Sequence, residues 1–399
     1  MNKFVFGALA LPAISATGFA NDTAWPELDR ELAALNNAPL SLENHEGLHV
    51  SGWLIGAITS DDTPTDSVND ELSTGVAASR VNLSGNLGSN YSFVLGWDFT
   101  DTGELYAPRG MPIGSSFDSG TGTFTSSNAG FGGLTDAYVA VGIADGLDLT
   151  VGAFRRQFIR SANIQRNQTI FINRSYLGAM YASRDAGVAL SGNFDRVNWE
   201  VTATNGHSGS TDEFGYSAHI DIDIIGGNSG NEGAFGATEG TNLNVGVTYA
   251  DDTSDTTSND DLLAGGDGTG SVLALGTSRD AVLLAANATL TTGGFTVWGE
   301  MVDQDNDATG AGYVGPTGSG ATPWSAGVAY LFNENYEVAF RYDDFDNGPI
   351  NTTRMNVGIN RYIDGHDLKW QLNFSTGSDD TTNGDTENDV LALGIAAGF

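Results

Sequence analysis

The sequence predicts an all-β protein, a transmembrane antiparallel β-barrel of about sixteen strands closed on itself. Three observations lead there. Segments of about ten residues alternate apolar and polar side chains, as barrel strands between lipid and a wet interior do. Their connections alternate short and long. The sequence closes on an aromatic, Phe399, inside the alternating stretch "DVLALGIAAGF".

Composition supports this reading. With 54 glycines, 9 prolines and no cysteine, the chain favours many strands and turns and has no disulfide framework. The first twenty residues, MNKFVFGALALPAISATGFA, read as a secretory signal. Lys3 stands before an apolar run broken at Pro12 and Ser15, and small residues surround a cleavage point near Ala20. No later stretch approaches the roughly 18 apolar residues a membrane helix needs. Residues 21–45 are expected as a periplasmic segment, in which "WPELDRELAAL" (25–35) forms a short helix with Pro26 in its first turn. Residues 46–399 are the barrel.

The strand pattern carries charge at alternate positions, which suits a wet interior and not a sandwich core. Tyr91, Phe93, Leu95 and Trp97 share one face. Trp199 and Val201 oppose Glu200, Val338 and Phe340 oppose Glu337 and Arg341, and Trp370, Leu372 and Phe374 oppose Lys369, Gln371 and Asn373. Strands are expected near 47–58, 75–86, 89–101, 133–145, 146–157, 184–194, 196–207 and 214–225. The second half adds 240–251, 278–291, 292–305, 323–333, 334–346, 351–363, 364–377 and 387–399. The gaps at 87–88, 145–146, 195, 291–292, 333–334 and 363–364 are tight, whereas 59–74, 102–132, 158–183, 252–277, 306–322 and 378–386 are long. Short periplasmic turns and long outer loops are the usual asymmetry. The stretch 226–239 breaks it, being long on the short-turn side.

Charge is unevenly placed. The chain holds 50 acidic against 16 basic residues, a formal charge of −34, yet "FRRQFIRSANIQRNQTIFINR" (154–174) contains five arginines and no acid. Arg155, Arg156, Arg160, Arg166 and Arg174 lie within this stretch and Arg184 follows ten residues on, and no Asp or Glu occurs from Leu149 through Arg184. Arg80 sits on a polar strand face with Asn82 and Ser84. Two roles stay open for these arginines: lining a passage for anions, or bracing a loop through carboxylates such as Glu200, Asp221 and Asp223.

Two hairpins carry a resemblance. "DAYVAVGIADGLDLTVGAFRRQF" (136–158) and "RDAGVALSGNFDRVNWEVTATNG" (184–206), with their "VGxF" and "RDxGVxLSG" patterns, resemble the phosphate-selective porins O and P of Gram-negative outer membranes over 46 residues. The resemblance implies a homotrimer in contact with outer-membrane lipid and lipopolysaccharide. It also implies a third long loop folded inward as a constriction, and passive conduction of small anionic or hydrophilic solutes. On it, Arg155, Arg156, Arg160, Arg166, Arg174, Arg184 and Arg80 are the expected constriction residues. The family's phosphate path uses lysines as well, whereas only Lys369 follows the signal here, so the solute is left unassigned. The alternative is a general or carbohydrate diffusion porin whose arginines brace the third loop.

Other chemistries are weaker. Asp303, Asp305 and Asp307 in "DQDNDATG" suggest a weak calcium loop but lack the terminal glutamate of a full one. His219 with Asp221 and Asp223, or His207 with Ser208, forms no nucleophile–base–orienter set, so no enzyme is expected. No cofactor is expected, and so acidic a chain is a poor nucleic-acid partner.

Overall fold

The computed structural model describes residues 47–62, 71–98, 115–118, 123–126, 134–181, 184–204, 214–227, 230–236, 240–254, 279–306, 322–346, 350–381 and 384–399. The expected signal, the helix at 25–35, His207, Ser208 and Asp307 lie outside these residues.

The strands are β1 (His49–Asp62), β2 (Glu71–Leu87), β3 (Tyr91–Asp98), β4 (Ser115–Asp118), β5 (Thr123–Ser126), β6 (Leu134–Ala144), β7 (Leu147–Arg155), β8 (Arg184–Phe194) and β9 (Val197–Thr204). They continue as β10 (Gly215–Ile225), β11 (Thr241–Ser254), β12 (Arg279–Thr292), β13 (Phe295–Asn306), β14 (Trp324–Phe332), β15 (Tyr336–Asp346), β16 (Ile350–Asp364), β17 (Leu368–Thr381) and β18 (Gly384–Gly398). Between β7 and β8 lie two short helices, α1 (Arg160–Asn163) and α2 (Tyr176–Met180), and a 3₁₀ turn, Arg166–Gln168.

All but β4 and β5 form one closed antiparallel barrel of sixteen strands, each expected strand having its counterpart. The β4–β5 hairpin falls in 102–132, a stretch expected wholly as loop. Closure joins β1 to β18, from Trp53 opposite Gly398 to Asp62 opposite Asp389. The final residue completes it: Gly52 N–H donates to the Phe399 carbonyl and Phe399 N–H to the Gly52 carbonyl, each at 3.0 Å. Gly52 must lack a side chain, because a Cβ there would stand 2.7 Å from Cζ of the Phe399 ring.

The short turns follow from residues in left-handed conformation. Gly293 and Gly294 (φ 56° and 83°) join β12 to β13, and Asn333 and Glu334 (φ 51° and 62°) join β14 to β15. Tight hairpins need such positive φ to match strand twist.

Alternation sorts the faces as read. Lys369, Gln371 and Asn373 are buried inside, while Trp370, Leu372 and Phe374 are exposed outside. The outward belt of exposed Val, Ile, Leu, Phe, Tyr and Trp on β1–β3 and β6–β18 far exceeds what water tolerates on a monomer, and it calls for lipid as its surroundings. Phe295, Tyr330, Phe332 and Tyr336 stack as neighbours at the short-turn end, as interfacial aromatics do.

Val357, exposed at the middle of β16, tests that environment. Val357→Arg is expected to lower barrel stability by ~2–4 kcal/mol, the cost of an arginine near the bilayer midplane, measured as urea unfolding from phosphatidylcholine bilayers.

Candidate functional site: a loop folded across the lumen

The 28 residues from Arg156 to Ser183 connect β7 to β8, and the described part turns into the barrel. A loop inside a barrel must find partners for its backbone and cover its apolar side chains. Its own sequence supplies three apolar anchors, and the wall supplies the seats. Phe158, Ile159, Ala162 and Leu177 pack on Ala250, Leu283, Ala285 and Val302 of β11–β13. Ile170 and Phe171 pack on Trp298, Ala329 and Ala339 of β13–β15. Ile172 packs on Trp53, Ile55, Ala392 and Ala396 of β1 and β18. The wall is cut back where the loop lies closest: a Cβ on Gly358 would stand 2.9 Å from the Phe171 ring, and one on Gly394 2.8 Å from Ile172 Cδ1.

Inward polar side chains of the wall satisfy the loop's backbone. Glu200 accepts from Gln157 N–H (2.7 Å), Glu300 from Ser161 N–H (3.1 Å), and Asn373 from Ile172 N–H (2.7 Å). Asn360 donates to the Ile170 carbonyl (2.9 Å), Lys369 to the Thr169 carbonyl (2.5 Å), and Thr248 to the Phe158 carbonyl. Arg341 donates to the carbonyls of Asn173 (3.2 Å) and Arg174 (3.0 Å), with Phe171 under its guanidinium at 4.6 Å. His366, in the turn after β16, reaches the Asn167 carbonyl at 3.2 Å. Burial, then the neighbouring Lys369 charge, pull its pKa down to about 3, so the ring stays neutral.

On the other side of the loop an open cavity of about 470 Å³ remains, facing β1–β3 and β6–β9. It is lined by Arg80, Arg155, Arg166, Arg174 and Arg184, by the carboxylates Asp136 and Glu200, and by Trp53, Tyr138 and Phe154 among apolar groups. Arg184 Nε donates to Asp136 Oδ1 at 2.9 Å and Arg80 pairs with the other oxygen, so one carboxylate serves two guanidinium groups. Arg155 and Arg174 both donate to the Ala162 carbonyl at 2.8 Å, and Arg166 donates to the Ile172 carbonyl at 3.3 Å. Carbonyls hold an arginine without cancelling its charge. Five guanidinium groups against two carboxylates therefore leave the lining with a formal excess of three positive charges.

The seven arginines singled out in the sequence thus divide. Five line the cavity. Arg156 is half-buried at the loop's start, within electrostatic reach of Glu200. Arg160 points the other way, to the carbonyls of Asn231 (2.6 Å) and Glu232 (2.8 Å), 5.9 Å from the Trp298 ring. Burial holds its pKa below the usual arginine value, against the raising influence of Glu232, Glu300 and Asp221. Of the carboxylates expected to brace the loop, Glu200 does so. Asp221 instead pairs with His219 (2.7 Å), and Asp223 accepts from Asn244 (3.0 Å). Asp136, Glu232, Glu300 and Asp343 were not singled out. Only the inward parity of Glu300 and Asp343 hinted at them.

Asp303 and Asp305 lie on the extended strand β13, Asp303 on the exposed face. Among the described residues no group of three or more metal-binding side chains converges.

No protein-family model matches the sequence, and no curated protein matches it. Solved structures do resemble the fold. The anion-selective porin from Comamonas acidovorans is 12% identical with a TM-score of 0.53, the match covering 88% of this chain and 99% of that one. The outer membrane channel DcaP of Acinetobacter baumannii is 11% identical (TM-score 0.56, covering 88% and 97%). OprB of Pseudomonas putida is 12% identical (TM-score 0.51, covering 93% and 96%). The chain therefore has the barrel fold of porins. These neighbours are porins and channels of several kinds, and the likeness does not single out the phosphate-selective porins O and P.

A seated loop resists proteolysis. Trypsin is expected to leave Arg160 and Arg166 uncut in the folded protein and to cut there in Gly358→Leu, whose side chain displaces Phe171. Mass spectrometry of the fragments reads the difference.

Proposed function

We propose that this chain forms an outer-membrane channel for passive diffusion of small hydrophilic solutes, with a preference for anions. Solute passes through the cavity between the inward loop and the wall of β1–β3 and β6–β9. The observation that carries this reading is the excess of three positive charges on that cavity's lining. An anion about 5 Å from one such charge gains ~3 kcal/mol at an effective dielectric of about 20, before desolvation is subtracted. The acidic loops act from farther away and are screened beyond ~8–10 Å in physiological salt. Near the constriction the arginines win.

Placement in an outer membrane is supported by the outward apolar belt, by the expected signal, and by the likeness to a protein described as an outer membrane channel. Anion preference is supported further by the likeness to a porin described as anion-selective. A trimeric form is described for the structurally similar OmpT of Vibrio cholerae, and a homotrimer is part of this proposal. Bracing and lining are not rival roles here, since Arg155, Arg166 and Arg174 hold loop carbonyls while facing the cavity.

Reversal potentials in planar bilayers under a KCl gradient test the reading. The wild type is expected to favour chloride. Arg155→Ala and Arg166→Ala are each expected to lower the anion-to-cation permeability ratio by about three- to tenfold, equivalent to ~0.7–1.4 kcal/mol. Arg361→Ala, on the outward face beside Tyr336, is the control and leaves the ratio unchanged. Cation selectivity untouched by the inner substitutions would sink the anion reading.

A further inference from the structure

The connection from β10 to β11 lies at the end of the barrel where the other hairpins turn tightly, yet it spans residues 226–240 and its middle folds inward. Asn231, Glu232, Gly233 and Ala234 are all buried. We propose that this inward turn is a latch for the constriction loop and that Glu232 is the positioning residue that sets the width of the passage. The proposal rests on the cavity beside the loop being the solute path.

Three sets of contacts argue for it. First, the turn holds the loop directly. Ile170 N–H donates to Glu232 Oε2 at 2.8 Å, and Arg160 of α1 donates to the carbonyls of Asn231 and Glu232. Second, Glu232 Oε1 lies 3.6 Å from Arg341, the guanidinium that holds the carbonyls of Asn173 and Arg174 farther along the loop. One carboxylate thus faces the loop's middle and the wall cation gripping its return arm. Third, the turn is itself pinned to the wall. Ala234 N–H donates to Glu337 Oε1 (2.7 Å), the other oxygen of Glu337 accepts from Tyr362 (2.6 Å), and Phe235 stacks on Tyr362 at 4.1 Å and 19°.

Sterics point the same way. Gly233 lies so close to both loop and wall that a Cβ there would stand 2.6 Å from Ile170 Cγ2 and nearer still to Glu337 Oε1. None of these latch residues lines the arginine cavity. They occupy the opposite flank of the loop, against β13–β17, and so hold it away from that wall and toward the passage. Releasing them frees the loop to retreat. The passage then widens, and Arg155, Arg166 and Arg174 on the loop move away from Arg80 and Arg184 on the wall.

The test is single-channel recording of the full chain with Glu232→Ala, after far-UV circular dichroism and heat-modifiable electrophoretic mobility have shown a folded barrel. The time spent in wider, noisy open states is expected to rise roughly tenfold or more, since the hydrogen bond from Ile170 N–H to a charged group and the ion pair with Arg341 are both lost. Glu232→Gln keeps one acceptor for Ile170 N–H and is expected to fall between. Gly233→Val, whose side chain meets Ile170 and the Glu337 carboxylate and so pushes the turn off the loop while leaving Glu232 in place, is expected to reproduce the noise and serves if Glu232→Ala does not insert. Conductance and noise identical to wild type in both folded variants would overturn the latch. A quiet but cation-selective wild type would sink the anion reading alone, because loop noise does not depend on the sign of the permeant ion.

Discussion

A loop folded into a barrel carries its peptide groups into a space where each unpaired N–H or carbonyl is costly, and the architecture of this lumen answers that constraint. The segment from Phe158 to Leu177 has too little regular structure to satisfy itself, with α1 and the 3₁₀ turn contributing single turns. The remaining donors and acceptors are matched by inward side chains of the wall. Glu200, Thr248, Glu300, Arg341, Asn360, Lys369 and Asn373 each meet a backbone group of the loop. These residues come from six strands, β9, β11, β13, β15, β16 and β17, so the loop is stitched along a long arc of the wall.

Charge follows from the same stitching. A carboxylate that meets an arginine removes its field, whereas a carbonyl that meets an arginine fixes its position and leaves the field in place. Arg155, Arg166 and Arg174 are held by carbonyls, and Arg80 and Arg184 share Asp136. The outcome is a positive cavity in a chain of strongly negative net charge. On the other flank the pattern reverses. Arg160 lies near Glu232 and Glu300, Arg341 pairs with Glu232 and Asp343, and all five side chains are buried. The loop separates a packed side of the lumen, rich in carboxylates, from an open cavity whose lining holds five arginines and two carboxylates.

Small residues make that asymmetry possible. The wall carries alanine or glycine where the loop seats its anchors, at Ala285, Ala329, Ala339, Gly358, Gly394 and Ala396. A general rule of polar residues inside would not place these apolar seats. In "AVLLAANATL" (281–290) the inward positions Leu283 and Ala285 are apolar next to the outward Leu284, a break in alternation that marks a wall with something resting against it.

What the residues alone determined was local and periodic. Alternation decides which face of each strand meets lipid, because side chains project to opposite sides at period two. Turn chemistry decides where hairpins close tightly, as at Asn333-Glu334, while the turn expected at 291–292 falls two residues later, at Gly293-Gly294. Together these made the sixteen strands and the arginine-rich connection legible. The tertiary structure decided what lies opposite what. Arg80 and Arg184 meet at Asp136, and Glu200 receives the loop at Gln157. Arg160 turns away from its neighbours toward a connection 71 residues on, and residues 231–234 of the odd stretch at 226–239 prove to enter the lumen. Strand periodicity holds no information about distances across a closed barrel. Those distances are set by closure, register and the depth to which the loop descends, and each is a property of all sixteen strands together.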